Sequence, residues 1–431
     1  MVLMDFAQSG SVVQIDNKRD PPNEMNILQI TPNVCSEARM NSADGIVRVI
    51  SQLSSYLANE THDTCFCGYL VDDFPKKTVV LPVFKSSIHL SYPIQTSELI
   101  QFITTNNIDV IQFNLIITKK SVSIVKTISE IAHRYNVKLV FCLHYMPDFP
   151  GKEYASFKEI LFDLVTRKLS RKEIRNWLLP SKGPINNWLV KRILKWKYTL
   201  FYDYDDRVVV FSDLYAESYR KIIENKSGEK LFVIPNPLSF PLFLPKEEVK
   251  NKQKEVVFVG RLIEDQKRVS HALKIWQIIE KNPMLQDWKL KIIGYGKDEA
   301  FLFWLAKKYH LKNVCFEGRQ DPMPYYKQAS ILMLTSSYEG WPMVMMEAMP
   351  MGCCCISFDS FGAVYDVIDD EYNGRIVPNN NLKKYAQYLS ELMLDDEKRI
   401  MMGTNAIESS KRFTMEKVGK RWHELYEEMM V

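Results

Sequence analysis

Ile331-Leu332-Met333-Leu334-Thr335-Ser336-Ser337-Tyr338-Glu339-Gly340-Trp341-Pro342-Met343-Val344-Met345-Met346-Glu347 passes from an apolar run through a polar loop into helix-forming sequence. A continuous apolar run closed by hydroxyl residues is the pattern of a strand buried on both faces, as in a parallel sheet. Pro342 fits the first helical position, where a missing N–H is harmless. The free N–H groups of such a helix start form an anion site. Glu347 stands about 7–8 Å further along the axis at 1.5 Å per residue. Glu339 and Glu347 can therefore address different parts of one ligand, with the backbone of Gly340, Trp341, Pro342 and Met343 between them. The plainer alternative is a loop glutamate and a glutamate favoured in a first turn by the helix dipole.

The same strand-then-helix rhythm extends in both directions. Upstream, MNILQI (25–30), DVIQFNLI (109–116), KLVFCLHY (138–145), DRVVVFS (206–212) and LFVIPNP (231–237) alternate with amphipathic stretches. After the Pro- and Lys-containing stretch 241–255 the rhythm restarts with EVVFVG (255–260), LKIIGYG (290–296), NVCFEG (313–318), ILMLTS (331–336) and GCCCISFD (352–359). Two such series predict an α/β chain of two doubly wound domains facing a cleft. The last stretch, TMEKVGKRWHELYEEMM, places Val418, Trp422, Leu425 and Met429 on one helical face, which must be covered.

Composition narrows the class. The 431 residues are 46% apolar and 25% charged, which excludes a disordered chain. No run reaches the roughly 18 apolar residues of a membrane-spanning helix, and the first residues lack a secretory pattern, so a cytoplasmic protein is expected. The eight cysteines have neither a C-x2-C pair nor a histidine at zinc-ligand spacing; four of them, Cys142 and Cys353 to Cys355, sit in apolar strand sequence. Structural zinc and disulfides are not expected.

Ligands of open parallel sheets bind beyond the carboxyl ends of the strands. Gly260-Arg261-Leu262 follows one strand and Lys267 opens the next predicted helix, so two cations at one turn can neutralise a diphosphate. The alternative is two solvated surface charges. His144 ends the strand 138–145 and is predicted to face the cleft, unless it is satisfied locally in its loop. Asp203-Tyr204-Asp205 spells a metal-binding D-x-D, but it precedes a strand, at the wrong end, and reads as an acidic turn.

With these residues in view, the chain from about 255 to 378 resembles the donor domain of the retaining glycosyltransferases of family 4, which have the GT-B fold. Glu339 and Glu347 match the family's E-x7-E signature, and Arg261 and Lys267 its Arg and Lys pair. IIGYGK (292–297), FEGR (316–319), Asn373-Gly374 and IPNP (234–237) match further. The resemblance covers nearly all of the second half, and only scattered positions of the first. It implies an N-terminal acceptor domain (1–240, with a basic aromatic insertion about 152–200), a nucleotide-sugar domain (241–415) and a final helix (416–431) returning to the N-terminal domain.

Carried over, the resemblance implies that Glu347 binds the ribose hydroxyls and that Glu339 contacts the transferred sugar. Backbone N–H groups of Gly340 to Met343 would hold the sugar and distal phosphate. Arg261 and Lys267 would stabilise the leaving diphosphate, Arg319 would line the base pocket, and His144 would lie near the donor sugar. Gly45, in SADGIVRV, resembles the glycine turn near the diphosphate, with Asp44-Gly45 where the family has two glycines. The expected function is transfer of a sugar, with retention, from a nucleotide diphosphate sugar (UDP favoured) to a glycan or lipid-linked acceptor in bacterial surface polysaccharide synthesis. No cofactor and no metal are expected. The alternatives are a non-catalytic glycosyltransferase-like binding subunit and a GT-B-fold UDP-sugar epimerase.

Charge is uneven. The net +4 hides a balance of +8 within 152–200, where twelve Lys/Arg face four Asp/Glu. Residues 163–201 interleave Trp177, Trp188, Trp196 and Phe201 with cations, the composition of an interfacial helix. Each cation near an anionic leaflet adds about 1 kcal/mol. An inner-membrane surface is the expected partner; plain packing is the alternative, and nucleic acid is not expected.

Overall fold

The computed structural model describes residues 24–33, 35–36, 45–70, 80–115, 119–147, 184–224 and 226–431. Residues 163–183 of the basic stretch lie outside them. Within the described part, short apolar runs form two separate parallel sheets. The first comprises β1 (Asn26–Thr31), β2 (Thr64–Tyr69), β3 (Ser87–His89), β4 (Val110–Phe113), β5 (Lys138–Cys142), β6 (Arg207–Val210) and β7 (Leu231–Val233), in the order β3-β2-β1-β4-β5-β6-β7. The second comprises β8 (Gln253–Val259), β9 (Lys289–Ile293), β10 (Val314–Gly318), β11 (Ala329–Leu334), β12 (Cys354–Asp359) and β13 (Gly374–Pro378), in the order β10-β9-β8-β11-β12-β13. Both have the Rossmann-like winding of the GT-B fold, with the strand order reversing between β1 and β4 and between β8 and β11.

Local sequence explains the covering helices. Helix Gly45–Glu60 buries Val47, Ile50, Leu53 and Leu57, one helical face. Helix Asp213–Ile223 starts where the Ser212 hydroxyl accepts the Leu214 N–H at 3.2 Å. In helix Pro184–Tyr204, Tyr198, Phe201 and Tyr202 are buried, whereas Ile193 and Trp196 are exposed. This end of the basic stretch therefore packs one face on the sheet and leaves an apolar pair in solvent. All eight cysteines are free, and seven are buried.

Some local expectations are corrected. The strands β2, β3 and β13 were not anticipated: β2 reads TCFCGY and β3 is three residues long, so neither makes a strong apolar run. Lys267 ends a one-turn helix, Glu264–Lys267; Arg268 then takes a left-handed φ of 46° before helix Val269–Ile279 starts. Pro342 is the cap of helix Met343–Ala348 and not its first residue.

The chain crosses between the domains twice, side by side: the Leu238 N–H donates to the Phe413 carbonyl at 2.8 Å. Helix Met415–Met430 then lies on helix Gly45–Glu60, with Val418, Trp422, Leu425 and Met429 buried. Gly419 makes this approach possible, because a Cβ there would lie 2.3 Å from the Tyr56 ring. Gly419→Ala is expected to lose about 1–3 kcal/mol by overpacking, read as a lowered Tm. Lys420→Ala, on the exposed side of the same helix, should leave the Tm nearly unchanged.

Asp203-Tyr204-Asp205 precedes β6, at the end of that strand opposite the carboxyl ends of the parallel sheet. Asp203 pairs with Lys226 at 2.6 Å. Asp205 is buried, and neither carboxylate oxygen has a hydrogen-bond partner among the described residues. Burial, aided by Asp206 and opposed by Lys230, raises its pKa well above the usual carboxylate range. A carboxyl raised on folding stabilises fully only below its unfolded pKa, about 4, and that stability is lost as pH rises through the folded value. Melts from pH 4 to 9 should therefore show the wild-type Tm falling relative to Asp205→Asn. A constant difference would mean that Asp205 ionises normally.

Candidate active site at the facing strand ends

The second sheet delivers its polar residues to one edge. β8 ends at Gly260-Arg261, and β11 ends before Thr335 and Ser336. The turn after β8 is drawn against the turn after β9 by close backbone approach. A Cβ on Gly294 would lie 1.8 Å from the Gly260 carbonyl oxygen, and one on Gly296 would lie 2.3 Å from that of Leu262. Only glycine fits such a contact. Asp298 then accepts the Glu264 N–H at 2.7 Å, and the Thr335 hydroxyl donates to the Lys267 carbonyl at 2.9 Å. The loop is thus pinned from both neighbouring strands.

That pinning brings Lys267 to Glu339. The ammonium lies 2.6 Å from Glu339 Oε1, and the Ser336 hydroxyl donates to the same oxygen at 2.6 Å. Lys267 is 9% exposed and Glu339 6%. A buried carboxylate needs such partners, because desolvation is not otherwise compensated. Arg261 is exposed, with a 3.4 Å contact to Gln266 Oε1; burial raises the Tyr338 pKa, and the Arg261 charge opposes that rise. The two cations thus differ in setting: Lys267 is locked to Glu339, and Arg261 stands in solvent near the same loop.

Glu347 is buried as well. Tyr326 donates to its Oε2 at 2.9 Å, and Arg48 from helix Gly45–Glu60 reaches its Oε1 at 2.5 Å. Burial first, and the Glu347 charge second, push the Tyr326 pKa far up. Arg48 also lies over the Phe240 ring, 5.3 Å from its centroid. This ion pair joins the two domains. Sequence reasoning missed Arg48, Tyr326 and Ser336; the one available signal was an arginine three residues after the helix-opening Gly45.

The loop 338–343 forms the other half of the domain contact. A Cβ on Gly340 would lie 2.5 Å from the His144 carbonyl oxygen, so the glycine lets the strand end of one domain touch the loop of the other. Tyr215 donates to the Glu339 carbonyl at 2.6 Å, and the Tyr145 and Tyr338 rings meet at 5.7 Å. The Trp341 ring is buried and packs edge-on against Phe211 and Phe413, so its side chain serves the interface. The Met343 N–H donates to the Trp341 carbonyl at 2.9 Å, and its side chain lies between Gly45 and Asn236. The Met343 N–H is therefore already engaged within the chain.

The remaining expected residues lie around this centre. His144 follows β5, half-buried, with Nε2 3.1 Å from Asn114 Oδ1. Burial pushes its pKa down to about 4, so the imidazole is neutral at physiological pH. Gly45 opens its helix opposite Met343, where a Cβ would make ordinary contact at 3.6 Å. Arg319 lies over the exposed Tyr295 ring at 5.3 Å, at the ends of β9 and β10. Among the described residues no cluster of three or more His, Cys, Asp or Glu could hold a metal ion.

Known proteins are similar to this chain in sequence and fold. The family model described as Glycosyl transferases group 1 matches residues 240–409. An uncharacterized glycosyltransferase of Haemophilus influenzae is 28% identical over 308 residues, 66% of this chain and 84% of that protein. The lipopolysaccharide 1,6-galactosyltransferase of Escherichia coli is 30% identical over 183 residues, 41% of this chain and 46% of that one. The crystal structure of Anabaena HepE in complex with UDP-glucose superposes with a TM-score of 0.65 over 93% of this chain and 99% of that one, at 14% identity. The fold is GT-B, and the chain is a transferase of the glycosyl type.

Removing one partner of a buried pair costs about 3–5 kcal/mol, because the other charge stays buried. Lys267→Met should lower stability by about that amount in denaturant melts. Adding Glu339→Gln to it should recover much of the loss. An unchanged midpoint in Lys267→Met would mean that the pair is solvated.

Proposed function

We propose that this enzyme moves a sugar, with retention of anomeric configuration, from a nucleotide diphosphate sugar to a glycan or lipid-linked acceptor in bacterial surface polysaccharide synthesis, as a family 4 enzyme. The observation that carries the reading is the buried Lys267–Glu339–Ser336 cluster at the carboxyl ends of β8 and β11, beside the exposed guanidinium of Arg261. A carboxylate and two cations at one strand edge suit a sugar joined to a diphosphate. UDP is the favoured nucleotide, in keeping with the UDP-glucose held by the Anabaena neighbour. The acceptor class follows the lipopolysaccharide enzyme among the relatives.

In this reading Glu339 accepts a hydroxyl of the transferred sugar. Its orientation is set by Lys267 and Ser336, which occupy one oxygen and leave the other for substrate. The bond between the anomeric carbon and the β-phosphate oxygen breaks with its electron pair on the phosphate. Lys267 has further N–H donors beyond the one given to Glu339, and Arg261 offers a planar fork. Both stabilise the charge growing on the leaving group, the kind of fixed donor that counts most in a transition state. The acceptor hydroxyl attacks from the same face, and its proton passes to the departing phosphate oxygen. Glu347 takes the ribose hydroxyls, and Arg319 with Tyr295 flanks the base. The positive charge is supplied by side chains, and no metal is required.

Residues 163–201 are assigned to a membrane surface, in support of which Ile193 and Trp196 are 44% and 55% exposed on their helix. No helix among the described residues is long and apolar enough to cross a membrane.

Glu339→Gln should reduce transfer by about 10²–10³-fold, the range for a lost transition-state contact, with the fold retained by circular dichroism. Normal turnover would overturn the assignment. A thermal-shift panel of UDP, GDP, ADP and CMP in EDTA should raise the Tm with one diphosphate, by linkage of about 2.7 kcal/mol at one hundred times Kd. A shift that appears only with added magnesium or manganese would overturn metal independence.

A further inference from the structure

We propose that Asn114 is a positioning residue: a closed ring of three side-chain amides inside the N-terminal sheet presents its oxygen to His144 and fixes which imidazole nitrogen carries the proton. The inference rests on the reading of His144 as a group beside the donor sugar. Gln29 on β1 and Gln112 on β4 are direct register partners in adjacent parallel strands. Asn114 follows β4, and all three are at most 1% exposed. Gln29 Nε2 donates to Gln112 Oε1 at 3.4 Å, Gln112 Nε2 donates to Asn114 Oδ1 at 2.9 Å, and Asn114 Nδ2 donates to Gln29 Oε1 at 2.8 Å. Each amide gives to the next and the ring closes. The Tyr426 hydroxyl, from the C-terminal helix, donates to Gln112 Oε1.

A parallel sheet interior is normally aliphatic, and three buried amides are unfavourable there unless fully bonded. A stability role alone would be served as well by Val or Leu. What aliphatic residues cannot supply is the ring's direction. Because Asn114 Nδ2 is turned to Gln29, its oxygen faces His144 Nε2 at 3.1 Å. An amide oxygen only accepts, so Nε2 must carry the hydrogen and Nδ1 keeps a lone pair. The ring sits where the strand order reverses, the position from which a doubly wound sheet addresses its ligand. Tyr426 anchors it to the helix that returns from the other domain, so docking of that helix and orientation of His144 share one hydrogen-bonded chain.

The test begins with nitrogen-15 spectra of the histidine rings in the whole protein, the His144 signals being assigned by their loss in His144→Gln. The expected result is a neutral His144 with its proton on Nε2. A proton on Nδ1 overturns the proposal. Asn114→Leu, similar in volume but without an acceptor, should give mixed tautomers and reduce kcat about tenfold, a rise of about 1.4 kcal/mol in the barrier. Asn114→Asp still offers an oxygen and should keep the proton on Nε2. An Asn114→Leu protein with the native tautomer and kcat overturns the positioning role. Should that variant not fold, the wild-type and Asn114→Asp spectra decide the matter. The tautomer is measured without any sugar transfer, so an inactive preparation, or a Glu339→Gln variant with normal turnover, would fault the functional reading and leave the tautomer assignment standing.

Discussion

A lysine and a glutamate, 2.6 Å apart and almost wholly out of solvent, meet where two neighbouring parallel strands end. Neither charge tolerates that burial alone. Much of the local architecture follows from keeping them together. The glycines after β9 let the loop after β8 approach, Asp298 and Thr335 fix its two ends, and Ser336 shares the carboxylate. A one-turn helix and a left-handed Arg268 deliver Lys267 to the cleft side, where a continuous helix from residue 264 would carry the chain past it. The charge pair is inexpensive to keep only because the backbone around it was shaped for it.

The second constraint is contact between the domains. Gly340 against the His144 carbonyl, Tyr215 on the Glu339 carbonyl and Arg48 on Glu347 tie the loop after β11 to three different elements of the first domain. Each of these contacts uses backbone or side-chain atoms adjacent to the groups assigned to substrate. Arg48 shares Glu347 with Tyr326, one on each carboxylate oxygen. One carboxylate thereby ties the second domain to helix Gly45–Glu60 of the first.

Much of this was legible in residues 331–347, because a strand, a turn and a helix start leave distinct marks when each is built from its favoured residues. The apolar faces of helices Gly45–Glu60 and Met415–Met430 were legible for the same reason. Where the Trp341 ring would lie was not legible, because a loop tryptophan carries no sign of which domain its ring will face; here Phe211 and Phe413 pack against it. The strand β2 escaped notice because TCFCGY lacks branched aliphatics, although five of its six residues are buried by neighbours far away in sequence. Arg48 and Tyr326 were invisible for a deeper reason. Their partner is 299 and 21 residues away, and pairing at that distance is decided by the fold.

The two halves of the cleft solve different electrostatic problems. The second domain gathers the charged groups Arg261, Lys267, Glu339 and Glu347. The first domain offers neutral groups at the same depth: Asn114, Gln29, Gln112 and an imidazole that burial keeps unprotonated. Desolvation keeps the imidazole neutral but by itself leaves the ring free to choose either tautomer. In the proposed arrangement, an amide ring with a fixed sense of donation removes that choice without adding charge.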